Sequence, residues 1–190
     1  MYEVRLHGRG GQGTVLAATI LAAAIVAEEK FAVAIPSFGF ERRGAPVAAY
    51  LRMDTREIRR MTNIYHPDCI ICIDPTVPRS VDIFGGIRPG CTLVQATNKA
   101  IDELTRPQTV ATVGLCDAVP IALALFGRAI TNTIMLGAFA RTTGLASLGS
   151  LERALEESEF RDAGLEQNLR ALRHGYEQTA VHRLSSKAAA

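Results

Sequence analysis

Tyr2-Glu3-Val4-Arg5-Leu6-His7-Gly8-Arg9-Gly10-Gly11-Gln12-Gly13-Thr14 is the stretch that decides how this chain folds. Tyr2 to His7 alternates in polarity with the period of a strand, Gly8 to Gly13 is a glycine loop, and Thr14 to Glu29 begins with an aliphatic run suited to a buried helix. Strand, tight turn and helix in that order give His7-Gly8-Arg9-Gly10-Gly11-Gln12-Gly13 the context in which a G-x-G-x-x-G pattern carries meaning. Glycines let the backbone approach an anion, and the first N–H groups of the helix attract negative charge. The plainer alternative is a turn that serves only close strand–helix packing; Arg9 and Gln12 within the loop favour contact with a phosphate or carboxylate. Phe31 to Ile35 follows as a second strand closed by Pro36, so the first 35 residues read as a βαβ unit. A dinucleotide fold also needs an acid at the end of its second strand to hold the ribose. Ala34-Ile35-Pro36 offers none, which argues against a stand-alone NAD-binding enzyme.

Further along, Val47 to Met53, the turn Asp54-Thr55 and Arg56 to Met61 suggest a hairpin. Cys69 to Ile73 and Cys91 to Gln95 read as fully buried strands, with a short helix between them over Val77 to Phe84. Thr109 to Val113 completes the expected sheet, and the sequence then turns helical. Asp117 caps a helix that carries Pro120 in its first turn and stops near Gly127; Asn132 to Thr143 forms another, ended by Gly144; Ser150 starts a third. Leu165, Leu169, Leu172 and Tyr176 give the last helix one apolar stripe. The expected class is α/β: three layers, α/β/α, with a mixed, mainly parallel sheet and a helical C-terminal portion. Residues 1–184 read as one domain and 185–190 as a frayed tail.

Composition narrows the function. With 190 residues, 48% hydrophobic and 21% charged, the chain carries enough apolar material for one core and is not a disordered type. A net charge of +2 gives no bulk attraction to nucleic acid or to a membrane surface. The longest uncharged apolar run, Val15 to Ala27, falls short of the ~20 residues of a membrane span, and the N-terminus lacks the pattern of a secretory signal, so a cytoplasmic location is expected. Cys69, Cys72, Cys91 and Cys116 lie in or beside apolar segments and read as free thiols. Cys69 and Cys72 have CxxC spacing, yet on a strand they point to opposite faces, which suits neither a metal nor a redox pair. His7, His66, His174 and His182 are scattered, no metal site is expected, and no residue qualifies as catalytic acid, base or nucleophile.

A second candidate segment is Phe40-Glu41-Arg42-Arg43-Gly44-Ala45-Pro46. Adjacent arginines suit phosphate or carboxylate through paired hydrogen bonds, although loop arginines are commonly solvated or form surface ion pairs. This loop should leave the sheet at the same edge as the glycine loop, so the two can share one site.

Beyond these general patterns, His7 to Gly13, the segment Phe38-Gly39-Phe40-Glu41-Arg42-Arg43-Gly44-Ala45-Pro46-Val47, and Asn63-Ile64-Tyr65 before Pro67-Asp68 with Asp74-Pro75-Thr76 resemble the gamma subunit of 2-oxoacid:acceptor oxidoreductases, the pyruvate:ferredoxin oxidoreductase family. Within it, Ile35-Pro36-Ser37-Phe38-Gly39-Phe40 and Ser158 to Leu165 are most similar to members that act on phenylglyoxylate. The resemblance implies a subunit, inactive alone, of an enzyme that decarboxylates a 2-oxoacid and acylates coenzyme A. It implies thiamine-diphosphate-binding alpha and beta subunits with Mg, a ferredoxin-like iron–sulfur subunit, and room for a flavin- and NAD-binding subunit carrying FAD. Neither a thiamine diphosphate signature nor a ferredoxin cysteine pattern occurs in this chain, in keeping with those groups residing in partners. Gly8, Arg9, Gly10, Gly11, Gln12 and Gly13 match the family's glycine loop, and Glu41, Arg42, Arg43 and Gly44 its second motif. The implied task is to contact coenzyme A or a neighbouring subunit; a scaffold subunit without cofactor contact, or a subunit for pyruvate or another 2-oxoacid, remain as alternatives.

Overall fold

A computed structural model describes residues 1–36, 44–158 and 164–184. The first strand, β1 (Tyr2–Arg9), sends Val4 and Leu6 into the main core, and its other face carries Glu3, Arg5 and His7. The glycine loop leads into α1 (Thr14–Val26), whose Ala17, Leu21, Ala24 and Ile25 are buried. The second strand, β2 (Phe31–Pro36), does not lie beside β1. Between them sits β3 (Pro46–Asp54), antiparallel to both, with Tyr2 opposite Met53, Arg9 opposite Pro46, and Phe31 opposite Asp54. The expected βαβ unit is therefore split by an inserted strand. The hairpin expected from Val47–Met53 and Arg56–Met61 is also corrected: β3 pairs back onto β2, and 56–61 is irregular. The reason is periodicity. Ala49, Leu51 and Met53 alternate inward to meet Ala32 and Ala34, whereas Arg56 to Arg60 holds only Ile58 as an apolar residue and has no face to bury.

Three parallel strands continue the sheet: β4 (Cys69–Cys72), β5 (Cys91–Ala96) and β6 (Val110–Cys116). The order across the seven strands is β2-β3-β1-β4-β5-β6-β7, parallel in the centre and antiparallel at both margins. The last strand, β7 (Ala180–Arg183), corrects the expectation that the sheet ends with β6 and the chain stays helical. Nothing in Ala-Val-His-Arg announces a strand; it forms because β6 leaves an open edge, which the Leu184 N–H extends by donating to the Ala111 carbonyl.

Among the described residues, α1, α2 (Ala118–Phe126), α3 (Asn132–Thr143), α4 (Leu148–Glu156) and α5 (Leu165–Gln178) all bury side chains in one core on one face of the sheet. The opposite face is closed thinly by 3₁₀ turns at Val77–Arg79 and Ile101–Glu103 and by Val81, Phe84 and Ile87. The third layer thus exists without an α-helix among the described residues, and the helix expected over Val77–Phe84 shrinks to one turn. Cys69 packs in the helix-side core and Cys72 in the other, as strand geometry requires. Gly127 and Gly144 end α2 and α3 in the left-handed conformation. Asp117 stands at the N-cap of α2 without a side-chain hydrogen bond, while α4 starts ahead of Ser150, capped by Ser147.

The helical layer is locked where α3 crosses α5. A Cβ at Gly137 would come within 2.0 Å of the Leu172 carbonyl oxygen, so the two backbones touch at a distance only glycine permits. Each fully buried Leu or Ile in this layer contributes about 1.5–3 kcal/mol. No helix among the described residues is long and apolar enough to cross a membrane.

Candidate functional site

Where β1 leaves the sheet, two turns from distant parts of the chain close around it. Gln12 N–H donates to the Arg9 carbonyl at 3.1 Å and the Gln12 side-chain oxygen accepts from Arg9 N–H at 2.8 Å, folding the loop onto itself. Gly13 enters α1 with φ 75, and a Cβ there would lie 2.4 Å from Asn132 Nδ2, so this position needs glycine for conformation and for space. Gly8 lies within β1 opposite Val47.

The loop is braced on both sides. Gly10 N–H donates to the Ala45 carbonyl at 2.8 Å, Gly44 N–H donates to the Gly10 carbonyl at 3.1 Å, and Arg9 Nη1 reaches the Gly44 carbonyl at 3.0 Å. On the other side Arg9 Nε donates to Thr76 Oγ1 at 2.9 Å, and the Gln12 amide donates to Asp74 Oδ2. Asp74 also accepts from the Thr76 N–H at 2.7 Å and from its hydroxyl. Burial alone would raise the Asp74 carboxyl; the bonds from Thr76 and Gln12 and the nearby Arg9 charge outweigh it and hold it below the ordinary carboxylate range. β1 and β4 flank the place where the chain, having built the sheet to one side of β1, begins to build it to the other. Ligands of open α/β sheets bind outside such strand ends.

The first bond inside α1 runs from Ala17 N–H to the Gly13 carbonyl. Among the described residues, the N–H groups of Gly11, Thr14, Val15 and Leu16 have no partner, and the Thr14 hydroxyl, on a residue 3% exposed, has none either. Gly11, Thr14, Val15 and Leu16 line a cavity of about 360 Å3 together with Arg9 and Val47. Unpaired amides at a helix N-terminus beside an orphaned hydroxyl fit an anionic group. A second cavity of about 320 Å3 lies past Thr76, at the ends of β4, β5 and β6, lined by Arg79, Thr97, Asn98 and Asp117. Another hollow, about 690 Å3, is away from the strand ends; its Glu28 is held near a pKa of about 2, because Ser150, the Ser147 N–H and Lys30 outweigh burial, and it serves to fasten α4.

Gly8, Arg9, Gly10, Gly11, Gln12, Gly13 and Gly44 thus stand at one edge of the sheet. Arg9 and Gln12 spend their polar groups on bracing the loop, and the open amides are those of the glycines and of the first helical turn. Glu41, Arg42 and Arg43 lie outside the described residues; their neighbours Gly44 and Ala45 are hydrogen-bonded to Gly10. The sequence marks Asp74 as a turn residue closing a buried strand and Thr76 only as part of a resemblance motif; the signal for both is the Asp-Pro-Thr turn after that strand. The dinucleotide reading weakens further, because β3 and not β2 lies beside β1, so the ribose-binding acid has no strand end to stand on. Burial pushes the Cys72 and Cys91 thiols up to about 12, leaving them protonated and unreactive. Among the described residues no group of three or more His, Cys, Asp or Glu side chains could hold a metal ion.

Residues 3–178 match the pyruvate ferredoxin/flavodoxin oxidoreductase family. The chain belongs to that family. It is 66% identical over 190 residues, 100% of both chains, to the gamma subunit of NADH-dependent phenylglyoxylate dehydrogenase from Aromatoleum evansii. It is 44% identical to the common gamma subunit of the pyruvate/ketoisovalerate oxidoreductases of Pyrococcus furiosus, covering 97% of this chain and 100% of that one. The crystal structure of the pyruvate oxidoreductase subunit PORC from Thermotoga maritima superposes with a TM-score of 0.79 at 33% identity, over 95% of this chain and 97% of that one. The protein is a gamma subunit of a multi-subunit 2-oxoacid oxidoreductase, and its mixed sheet with a helical C-terminal portion is the fold of that subunit type.

Proposed function

We propose that this gamma subunit serves a coenzyme A-acylating phenylglyoxylate dehydrogenase, in which phenylglyoxylate, coenzyme A and an oxidised acceptor give benzoyl-CoA, carbon dioxide and the reduced acceptor. The observation that carries the substrate is the 66% identity to the phenylglyoxylate enzyme's gamma subunit, end to end, against 44% to the pyruvate/ketoisovalerate subunit. In this reading thiamine diphosphate with Mg, iron–sulfur clusters and FAD/NAD belong to partner chains, and the partners are thiamine-binding alpha and beta subunits, a ferredoxin-like subunit and a flavin- and NAD-binding subunit. The complex works in the cytoplasm.

Coenzyme A supplies the thiol that takes the acyl group and carries the phosphates that the site is suited to hold. The open amides of Gly11, Thr14, Val15 and Leu16 are the groups that would bind them; Arg9, Gln12, Asp74 and Thr76 keep the loop in the shape that exposes those amides. Glu41, Arg42, Arg43 and Gly44 follow from the same reading as contacts of the cofactor or of a neighbouring subunit. Support comes from the preorganised, unpaired donors, which need no rearrangement to meet an anion.

Tagging this chain and purifying it without oxygen tests the assignment. The expected outcome is a complex whose other subunits hold thiamine diphosphate, flavin and iron–sulfur clusters and which forms benzoyl-CoA. A lone chain that turns over NADH by itself would overturn it.

A further inference from the structure

At the opposite edge of the sheet, β3 is joined to β4 by the segment from Thr55 to Pro67, which has no regular secondary structure. Loops of this length, roughly 12–15 residues, are uncommon in compact domains unless they serve a function or are disordered. This one is fixed. Arg52, only 1% exposed, donates Nη1 to the carbonyls of Arg60 and Thr62 at 3.2 and 2.5 Å and Nη2 to the carbonyl of Asn63 at 3.3 Å. Its Nε pairs with Glu3 at 2.8 Å, and Glu3 in turn pairs with Arg88 at 2.8 Å. Ile64 is buried as a plug, and Arg88 N–H holds the Pro67 carbonyl at 3.1 Å. A fully buried guanidinium is expensive to desolvate, and here its Nη1 and Nη2 donors are spent on the carbonyls of one loop.

What the fixed loop turns outward is unlike the rest of the surface. Tyr65 is 69% exposed and Met61 is 64% exposed, the highest values among the large apolar side chains described. Arg56, Arg59 and Arg60 stand exposed around them; Glu57 pairs with Arg59 at 3.0 Å, and Arg56 and Arg60 have no acidic partner among the described residues. Tyrosine, methionine and arginine are the residues enriched where protein surfaces meet, and a patch held rigid before contact loses little entropy on binding. The glycine-loop site lies at the other end of β1, so a partner seated here leaves that site open.

From this we infer that the Thr55–Pro67 loop is the docking surface for an acidic protein surface on another subunit of the same complex, with Tyr65 and Met61 at its centre and Arg56 and Arg60 facing the partner's carboxylates. The inference rests on the chain's place in a multi-subunit enzyme and is independent of which 2-oxoacid is used.

The test is a photo-cross-link in the co-expressed complex carrying Tyr65→p-benzoylphenylalanine, followed by mapping of the adduct. The expected product joins residue 65 to an acidic segment of a different subunit, and R56E together with R60E lowers its yield at least tenfold at 0.15 M salt. R128E, an exposed charge at the far edge, leaves the yield unchanged. An adduct to a second copy of this chain, an adduct to nucleic acid, or no adduct in an assembled complex would each overturn the inference. Benzoyl-CoA formation is assayed on the same sample: activity without the adduct sinks the docking surface alone, and the adduct without activity on phenylglyoxylate sinks the substrate assignment alone.

Discussion

Arg9 and Thr76, 67 positions apart, meet at 2.9 Å across the point where the sheet changes direction. Thr76 accepts from the guanidinium and donates to Asp74, so one hydroxyl ties the glycine loop to the turn after β4. Thr76→Val keeps the shape and removes both bonds. Stability should fall by about 1–2 kcal/mol, and in the complex KM for coenzyme A should rise several-fold with kcat retained, both recovered by Thr76→Ser. Steady-state kinetics with urea melts of the three proteins check this.

Val15 lies in the first turn of α1 and lines the cavity with its N–H open. Val15→Glu places a carboxylate where the helix welcomes one, worth about 0.3–1 kcal/mol, and where a bound phosphate would be repelled. The expected result is a melting temperature close to that of the parent and KM for coenzyme A raised about tenfold. An unchanged KM would remove the glycine loop from cofactor contact and leave it an assembly role.

His7 is pushed down to about 4, first by burial and then by Arg5, whose Nε donates to it at 3.1 Å. An unfolded imidazole titrates near 6.5. Between those values the unfolded chain takes up a proton that the folded chain refuses, so stability should fall as pH drops from about 6.5 to about 4, by up to about 3 kcal/mol from this group. Urea midpoints at pH 7, 6 and 5 should decline less steeply in His7→Gln.

Arg52→Met leaves Glu3 with Arg88 alone and frees the carbonyls of Arg60, Thr62 and Asn63. Losing one partner of a buried pair costs about 3–5 kcal/mol; the remaining Arg88 contact places the expected loss at the lower end. Chymotrypsin should cut after Tyr65 in the variant well before it cuts the parent.

The sequence showed most where structure and signal are local. β1, the glycine loop and α1 adjoin in the chain, and their order is readable because alternation, glycines and an aliphatic run follow one another within the first turn of the fold. The opposite facing of Cys69 and Cys72 followed from strand geometry alone. What was hidden depends on long-range pairing. β3 inserts between β1 and β2 because the three strands turn Val4, Leu6, Ala32, Ala34, Ala49, Leu51 and Met53 to one core, a match that no single segment displays. β7 exists through the free edge of β6. Asp74 became part of the site only when the fold brought it to Gln12, 62 residues away in sequence. The segment Arg56–Met61 reads as a strand from its flanking turn and is a loop because it has no apolar face to bury; Arg52, buried beneath, binds the carbonyls of Arg60, Thr62 and Asn63 instead.

The most direct test of the assignment is the ratio of kcat/KM for phenylglyoxylate to that for pyruvate, measured on the anoxically purified complex with coenzyme A saturating. A ratio of ten or more, about 1.4 kcal/mol of transition-state preference or greater, with benzoyl-CoA as the product, is the predicted result. A ratio below one, with acetyl-CoA formed from pyruvate, would contradict it.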